Sequence, residues 1–288
     1  MNRFFTLLFA ASCLTAVGQN NCSLVYDGNG DGAVGSADLI GLLSEYGINC
    51  NEPGISECGT PVSYQGYNYA TVLIGEQCWF AENLRAENYR NGDAIATLAG
   101  TQDPFASGDC NLYYSGEGLV GLYGQTWGCS SGCSGSFDAC SDVGETLLTF
   151  GLVYNEYAVS DSRKLCPTGW HGATDEEWMI LEVALGMTMS EAQSTGARGQ
   201  IAHLLKSDNL WCEDNPGDGG DGLQLRPGGQ ISDDCGASND AWDQGYFWST
   251  SETGQDYFRR LKAGYDYIDR YPISQSNMLS VRCLKDTE

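Results

Sequence analysis

Oxygen-bearing side chains recur at alternate positions of the segment 27–38. A twelve-residue calcium loop needs oxygen ligands at its positions 1, 3 and 5, a glycine at 6, a backbone carbonyl at 7 and a carboxylate at 12. This segment fills every one of these positions. The predicted ligands are Asp27, Asn29, Asp31, the backbone carbonyl of Ala33, and Asp38. The spacing therefore predicts a calcium site, with a water completing the shell at Gly35, which has no side chain.

Apolar residues at helical spacing follow the loop and end at Gly47, which is typical of a helix stop. Cys22 and Cys50 flank the loop and this helix. A segment of this size buries little core, so we expect these two cysteines to be bonded to each other. The residues 19–50 are therefore predicted to form a small calcium-binding module.

The pattern of this module resembles one repeat of a dockerin, the EF-hand-like calcium module of secreted bacterial proteins. The resemblance rests on the spacing Asp-x-Asn-x-Asp-Gly from Asp27 and on the following Leu-Leu-x-x-Tyr-Gly run that ends at Gly47. Dockerins carry two such repeats, and the sequence has one. The single repeat argues against a cohesin partner.

A second group of carboxylates lies in the stretch 213–222, at Asp214, Asp218 and Asp221. It could hold a second calcium ion, but it lacks both the loop spacing and a following helix. An acidic, solvated loop is the favoured interpretation.

The amino terminus predicts export. One basic residue, Arg3, precedes an apolar run from Phe4 to Val17, and small residues stand before Gln19. The residues 1–18 are therefore expected to be a cleaved signal peptide, which makes the protein secreted. Cys13 lies in a sequence that loosely resembles a lipoprotein cleavage site, which leaves lipidation there as the minor alternative.

Cysteine content agrees with an extracellular location. The chain has thirteen cysteines, and twelve of them lie after Cys13. An even number of cysteines in an exported protein indicates disulfides. The two histidines, His171 and His203, do not have zinc-ligand spacing, and we expect neither to bind a metal or to act in catalysis.

Composition excludes several classes of protein. The 38 acidic and 14 basic residues give a formal net charge of −24, which argues against binding to nucleic acid. Hydrophobic residues make up 42% of the chain, so it is expected to fold, and its single short apolar run predicts no membrane span.

The remaining sequence predicts one α+β domain over 66–288, preceded by a linker at 51–65 and containing a Cys-rich insertion at about 99–144. Thr174 and Glu177 form a capping box that predicts a helix start. Strands are expected at the positions where alternating patterns occur. They are Tyr67–Ile74, the region near Cys78–Phe80, Gly245–Ser251, Asp256–Lys262, Tyr267–Tyr271 and Leu279–Leu284.

Several blocks of the domain resemble the Fibrobacter succinogenes major paralogous domain in their residues and order. They are Ile74–Leu84, Gly151–Asn155, Cys166–His171, Thr174–Trp178, Leu205–Ser207, Arg226–Gly229, Tyr246–Glu252 and Val281–Asp286. The resemblance implies a fold related to C-type lectins and to the formylglycine-generating enzyme, with short helices and twisted, mostly antiparallel sheets. It also implies a disulfide between Cys166 and Cys283, and suggests one between Cys212 and Cys235. It does not account for the Cys-rich insertion.

We expect a non-catalytic binding or surface-interaction protein, with a glycan or an extracellular protein as its partner. Ligand sites need exposed aromatic rings near polar groups. The candidates lie in predicted loops: Tyr123, Trp127, Trp211 and Trp242. The tryptophans within the family blocks are expected to be core, namely Trp79, Trp170, Trp178 and Trp248. The calcium-binding triplets of C-type lectins are absent.

Two alternatives remain open at this stage. A structural coat or matrix component would use calcium only to fold its first module. An enzyme related to the formylglycine-generating enzyme is less favoured, because every cysteine after the signal has a potential disulfide partner and function does not follow from fold.

Overall fold

The domain is built mainly from strands, and only short helices interrupt them. The computed structural model describes residues 58–97, 117–122, 142–208, 210–212, 222–233, 238–250 and 256–287. All of these belong to the compact unit that begins at residue 57. The predicted signal peptide and calcium module, 1–50, lie outside the described residues.

The described helices are all short, and none of them is long and apolar enough to cross a membrane. They are α1 (Val143–Phe150), α2 (Glu156–Val159), α3 (Asp175–Ala184), α4 (Met189–Gln193) and α5 (Ala202–Leu205).

Sixteen strands occur among the described residues. They are β1 (Val62–Tyr64), β2 (Tyr67–Tyr69), β3 (Thr71–Ile74), β4 (Gln77–Phe80), β5 (Ala96–Thr97), β6 (Leu119–Gly121), β7 (Val153–Tyr154), β8 (Trp170–Gly172), β9 (Gly196–Arg198), β10 (Gly228–Ile231), β11 (Ser238–Ala241), β12 (Gln244–Ser249), β13 (Tyr257–Lys262), β14 (Ile268–Pro272), β15 (Leu279–Ser280) and β16 (Cys283–Lys285).

The larger sheet has ten strands in the order β5-β6-β7-β15-β12-β13-β14-β9, and in addition β10 pairs with β12 and β11 pairs with β10. Its centre is the antiparallel set β12, β13 and β14, in which Phe247 pairs with Arg259 and Arg260 pairs with Asp269. Strand β9 forms one edge and pairs Ala197 with Asp269. Because side chains alternate along a strand, neighbouring residues of β13 point to opposite faces of this sheet.

The smaller sheet is antiparallel and has the order β3-β4-β16-β8. Helix α3 contacts both sheets, because Trp178 lies 5.1 Å from Trp79 of β4 and 6.1 Å from Phe247 of β12, measured between ring centroids. The predicted capping box starts this helix: the Thr174 hydroxyl accepts from the Glu177 amide, and the Glu177 carboxylate accepts from the Thr174 amide. The helix start and the core positions of Trp79, Trp170, Trp178 and Trp248 are confirmed.

Two predicted strands are wrong in their extent. The run Tyr67–Ile74 divides into β2, which pairs with β1, and β3 of the smaller sheet. The run Leu279–Leu284 divides into β15 in the larger sheet and β16 in the smaller one. The guanidinium of Arg282 turns into the interior, where it donates to the carbonyls of Phe80 and Leu223 at 2.9 and 2.7 Å. Where the chain passes from one sheet to the other, the carbonyls of Val281 and Arg282 accept from the Leu84 and Ala173 amides at 3.0 and 3.2 Å.

Two disulfides join described residues. Cys166, before α3, is bonded to Cys283 on β16, which is the pair that the family resemblance implies. Cys58 is bonded to Cys78 on β4. The folded unit therefore begins before the expected boundary at 66: the predicted linker 51–65 ends early, because β1 pairs with β2 and Cys58 is held to β4.

Candidate functional site

Hydrogen bonds from helix α5 hold the turn between β13 and β14 in place. The amide of Ala202 donates to the Asp266 carbonyl at 3.1 Å. The amide of His203 donates to Asp266 Oδ1 at 2.8 Å, and the His203 ring Nδ1 lies 2.7 Å from the same oxygen. Both backbone and side chain of Asp266 are thus fixed, which sets the path of the turn.

The buried ammonium group of Lys206 holds the same turn at Tyr265, the residue before Asp266. Lys206 Nζ donates to the Tyr265 carbonyl at 2.6 Å and lies 5.1 Å from the centroid of the Trp211 ring. Burial lowers the pKa of Lys206 to about 8, although the carboxylates of Asp266 and Asp243 partly offset it. Burial of a cation is costly unless polar groups compensate it, so the hydrogen bond from Lys206 to the turn is a specific feature of the fold.

The turn presents two tyrosine rings. Tyr265 is 50% exposed, and Tyr267 is partly exposed. Their ring centroids lie 5.0 Å apart with the planes inclined by 48°. Lys262 Nζ lies 5.6 Å from the Tyr265 ring. Because the backbone is fixed, these rings need little further ordering to receive a ligand.

The outer face of β14 continues this surface. Tyr271 is 41% exposed and lies four residues from Tyr267, on the same face and roughly 13 Å along the strand. Between them, buried Asp269 accepts from Arg260 Nε at 2.8 Å. We call Tyr265, Tyr267, Tyr271, Arg260 and Asp269 the tyrosine face.

A solvent-open cavity of about 660 Å³ adjoins the tyrosine face at Tyr267. Its volume is within the range of small-molecule sites. Its wall includes Met187, Glu191, Ser194, Ala197 and Gly199. A β-carbon at Gly199 would lie 2.2 Å from Met187 Cε, and the backbone there has φ +65°, so this wall requires glycine.

On the inner face of β9, β13 and β14, arginine side chains form a buried network of ion pairs with carboxylates of helix α3. Arg259 donates to Asp175 Oδ1 at 2.5 Å and to Glu182 Oε1 at 2.7 Å. Arg270 also binds Asp175, and Arg198 binds Glu182 at 2.9 Å. Burial raises the pKa of Asp175, but the two arginines outweigh it and the net pKa is lowered. Every charge of this network has an opposite partner, so its role is structural.

The smaller sheet places His171 between two carboxylates. Its Nε2 lies 2.9 Å from both carboxylate oxygens of Glu177, and its Nδ1 lies 2.6 Å from Asp286 Oδ1. The hydrogen bond to Glu177 raises the pKa of His171, and the bond to Asp286 adds to this. With both ring nitrogens engaged, this histidine ties the start of α3 to the chain's end.

Two predicted stacking residues are not exposed. Trp211 and Trp242 are 6% and 4% exposed, so their assignment as ligand-stacking residues is wrong. The Trp211 indole donates to the Leu225 carbonyl at 3.3 Å and receives the Lys206 ammonium. Trp242 packs edge-on against Phe150 at 5.0 Å, and its backbone pairs with Pro227. Both rings are buried in the core, where large apolar rings gain most from burial.

The other predicted site residues fall outside the described residues. They are the calcium ligands Asp27, Asn29, Asp31, Ala33 and Asp38, the cysteines Cys22, Cys50 and Cys235, the aromatic residues Tyr123 and Trp127, and the acidic group Asp214, Asp218 and Asp221. Cys212 is disulfide-bonded, and its partner lies outside the described residues because the other described cysteines pair with each other. Within the described ranges, no group of three or more metal-ligating side chains is placed to hold an ion.

Sequence reasoning missed the tyrosine face. A signal was present, because Tyr267, Asp269 and Tyr271 alternate along a predicted strand and must share one face. The pattern does not reveal which face is open to solvent, and that depends on what packs against the sheet.

Comparison with known proteins identifies a family for most of the domain. The sequence model described as the Fibrobacter succinogenes major domain matches residues 72–285. No curated protein and no solved structure matches this chain.

Proposed function

Because this chain belongs to the Fibrobacter succinogenes major domain family, whose description names no activity, we propose its function from the tyrosine face. The protein is a secreted, non-catalytic binding protein that holds a carbohydrate against Tyr265, Tyr267 and Tyr271. Calcium bound by the loop 27–38 stabilises the first module.

The observation that carries the proposal is the exposure of Tyr265 and Tyr267 on a turn that is held by three hydrogen bonds to Asp266 and one to the Tyr265 carbonyl. Exposed aromatic rings gain free energy when they are covered by an apolar surface. The faces of sugar rings offer C–H groups for such contact, and their hydroxyls need polar partners at the edge. Arg260, whose side chain is 26% exposed, and Lys262, whose Nζ lies 5.6 Å from the Tyr265 ring, are placed to provide these partners.

Other features support the proposal without deciding it. The mixed architecture of antiparallel sheets with few short helices agrees with the C-type-lectin-like fold that the resemblance implies. The signal-like amino terminus and the disulfides are typical of exported proteins. The dockerin-like repeat gives a reason to expect calcium in the first module.

The test compares the oxidised full-length protein with the double variant Tyr265→Ala/Tyr267→Ala in affinity electrophoresis on soluble β-glucan, mannan and xylan. We expect the wild-type protein to be retarded by one of these polysaccharides with calcium and with chelator alike. The double variant is expected to lose about tenfold or more in affinity, equivalent to about 1.4 kcal/mol.

Leu73→Ala is the matched control, because Leu73 is 60% exposed but lies on β3 of the smaller sheet. It should bind as the wild type does. In urea unfolding Leu73→Ala should match the wild type within about 0.5 kcal/mol, and the double variant should lose about 0.5–1.5 kcal/mol with the contact between the two tyrosine rings and remain folded. If no polysaccharide retards the protein, or if the double variant binds normally, the proposal is overturned.

A further inference from the structure

We infer that the cavity beside Tyr267 receives the end of an uncharged glycan chain, while the following sugar unit stacks on Tyr267. This inference rests on the proposed function and adds two points to it: the chain is bound by its terminus, and it carries no anionic groups.

The shape of the cavity supports terminal binding. Buried Met187 and Ile201 form part of its wall, and each is less than 10% exposed. Gly199 keeps its place against Met187, since a β-carbon there would overlap the Met187 side chain. A chain lying on the tyrosine face can enter at Tyr267, but it cannot continue through the buried side chains behind.

The polar groups that line the cavity can form hydrogen bonds with the hydroxyls of a sugar. Glu191 is exposed, and its Oε2 is fixed by the amide and hydroxyl of Thr188 at 2.9 and 2.8 Å. These hydrogen bonds lower the pKa of Glu191, so it is ionised at neutral pH and can accept from sugar hydroxyls. Ser194 and Gln200 add exposed polar groups at the rim.

The charges near the site disfavour an anionic ligand. Arg198, which also lines the cavity, is bound to buried Glu182, and Arg260 is bound to Asp269. Both cations are therefore already neutralised. Lys262 beside Tyr265 is one cation against the exposed Glu191 and a formal net charge of −24, and this excess of negative charge repels sulfated or carboxylated glycans at low salt.

The experiment uses a substitution at the edge of the cavity that fills part of its volume. Ala197 is an exposed residue of the edge strand β9 and lines the cavity, so Ala197→Trp places an indole in it at little cost to folding. Thr195→Trp is the matched control, because Thr195 is also exposed, lies two residues away and does not line the cavity. Titration calorimetry uses the polysaccharide retained in electrophoresis, its hexasaccharide, and carboxymethylated and sulfated forms of the polymer.

We expect the hexasaccharide and the polymer each to bind one protein per chain end. Ala197→Trp should lower affinity about tenfold or more, while Thr195→Trp binds as the wild type does. The anionic polymers should bind at least about tenfold more weakly at low salt.

Different results overturn different statements. If the number of bound proteins rises with chain length, or if Ala197→Trp binds normally, the cavity is not the terminal subsite, although the tyrosine face remains the binding surface. If the anionic polymers bind as tightly as the neutral one, the statement that the ligand is an uncharged glycan is wrong. If no neutral glycan binds the wild-type protein, both this inference and the proposed function fall.

Discussion

Arg259 and Arg260 are consecutive residues of β13 with the same chemistry and different surroundings. Arg259 points inward, is fully buried, and binds two carboxylates of α3, Asp175 and Glu182. Arg260 points to the other face, is partly exposed, and binds one carboxylate, that of Asp269. The inner face of the sheet is thus closed by redundant ion pairs, whereas on the outer face Arg260 is partly exposed and the Tyr271 ring is accessible to a ligand. One strand supplies both rigidity and a binding surface.

The strongest test of this comparison is Arg259→Gln. The change removes a charge from the sealed network and leaves Asp175 and Glu182 each with one cation fewer. We expect the free energy of unfolding to fall by about 3–5 kcal/mol, the usual cost of breaking a buried ion pair. Urea unfolding of the oxidised full-length protein, followed by tryptophan fluorescence, measures this loss. A loss below about 1 kcal/mol would mean that the inner network does not hold the sheet.

The matched substitution on the outer face is Arg260→Gln. Asp269 is buried and would lose its charged partner, but glutamine can still donate one hydrogen bond to it. We expect a loss of about 1–2 kcal/mol in the same urea experiment, between the cost of a surface pair and that of a buried one. A loss equal to that of Arg259→Gln would remove the distinction between the two faces.

The smallest effect is expected for His171→Gln, at a half-exposed site on the smaller sheet. The carboxylate of Glu177, and then that of Asp286, raise the pKa of His171, so its stabilisation is complete below about pH 6.5 and is lost as pH rises through the folded-state pKa. Burial raises the pKa of Glu177, but hydrogen bonds from His171 and Thr174 outweigh it, so its contribution is lost as pH falls below about 4.3.

The variant should therefore be less stable than the wild type by under about 1 kcal/mol at pH 5.5, because water screens a partly exposed pair. At pH 9 the difference between the two urea midpoints should be smaller. A difference that grows with pH would contradict the assignment of a charged histidine at this position.

The accuracy of the sequence-based predictions followed the range of the interactions involved. The start of α3 at the Thr174–Glu177 capping box is set by residues three positions apart, and it was predictable. The strand positions of β12, β13 and β14 followed from local alternation in the same way. The disulfide between Cys166 and Cys283 joins residues 117 positions apart, and only the family resemblance pointed to it.

The aromatic residues show where local pattern fails. Trp211 lies in a loop by sequence, yet its ring is buried against Lys206. Tyr265 also lies in a connection between strands, yet it stays half exposed. Nothing within a few residues of either distinguishes them, since exposure depends on which distant elements pack nearby.

The amino-acid sequence by itself determined the periods and termini of the elements, because alternation and capping act between near neighbours. It also determined the net charge of −24 and the core tryptophans of the family blocks. Only the tertiary structure decided that Arg259 is fully buried while Arg260 is partly exposed, and that α5 fixes the turn at Asp266, next to Tyr265. These properties arise from contacts between residues far apart in the chain, and such contacts exist only once the sheets and helices have packed together.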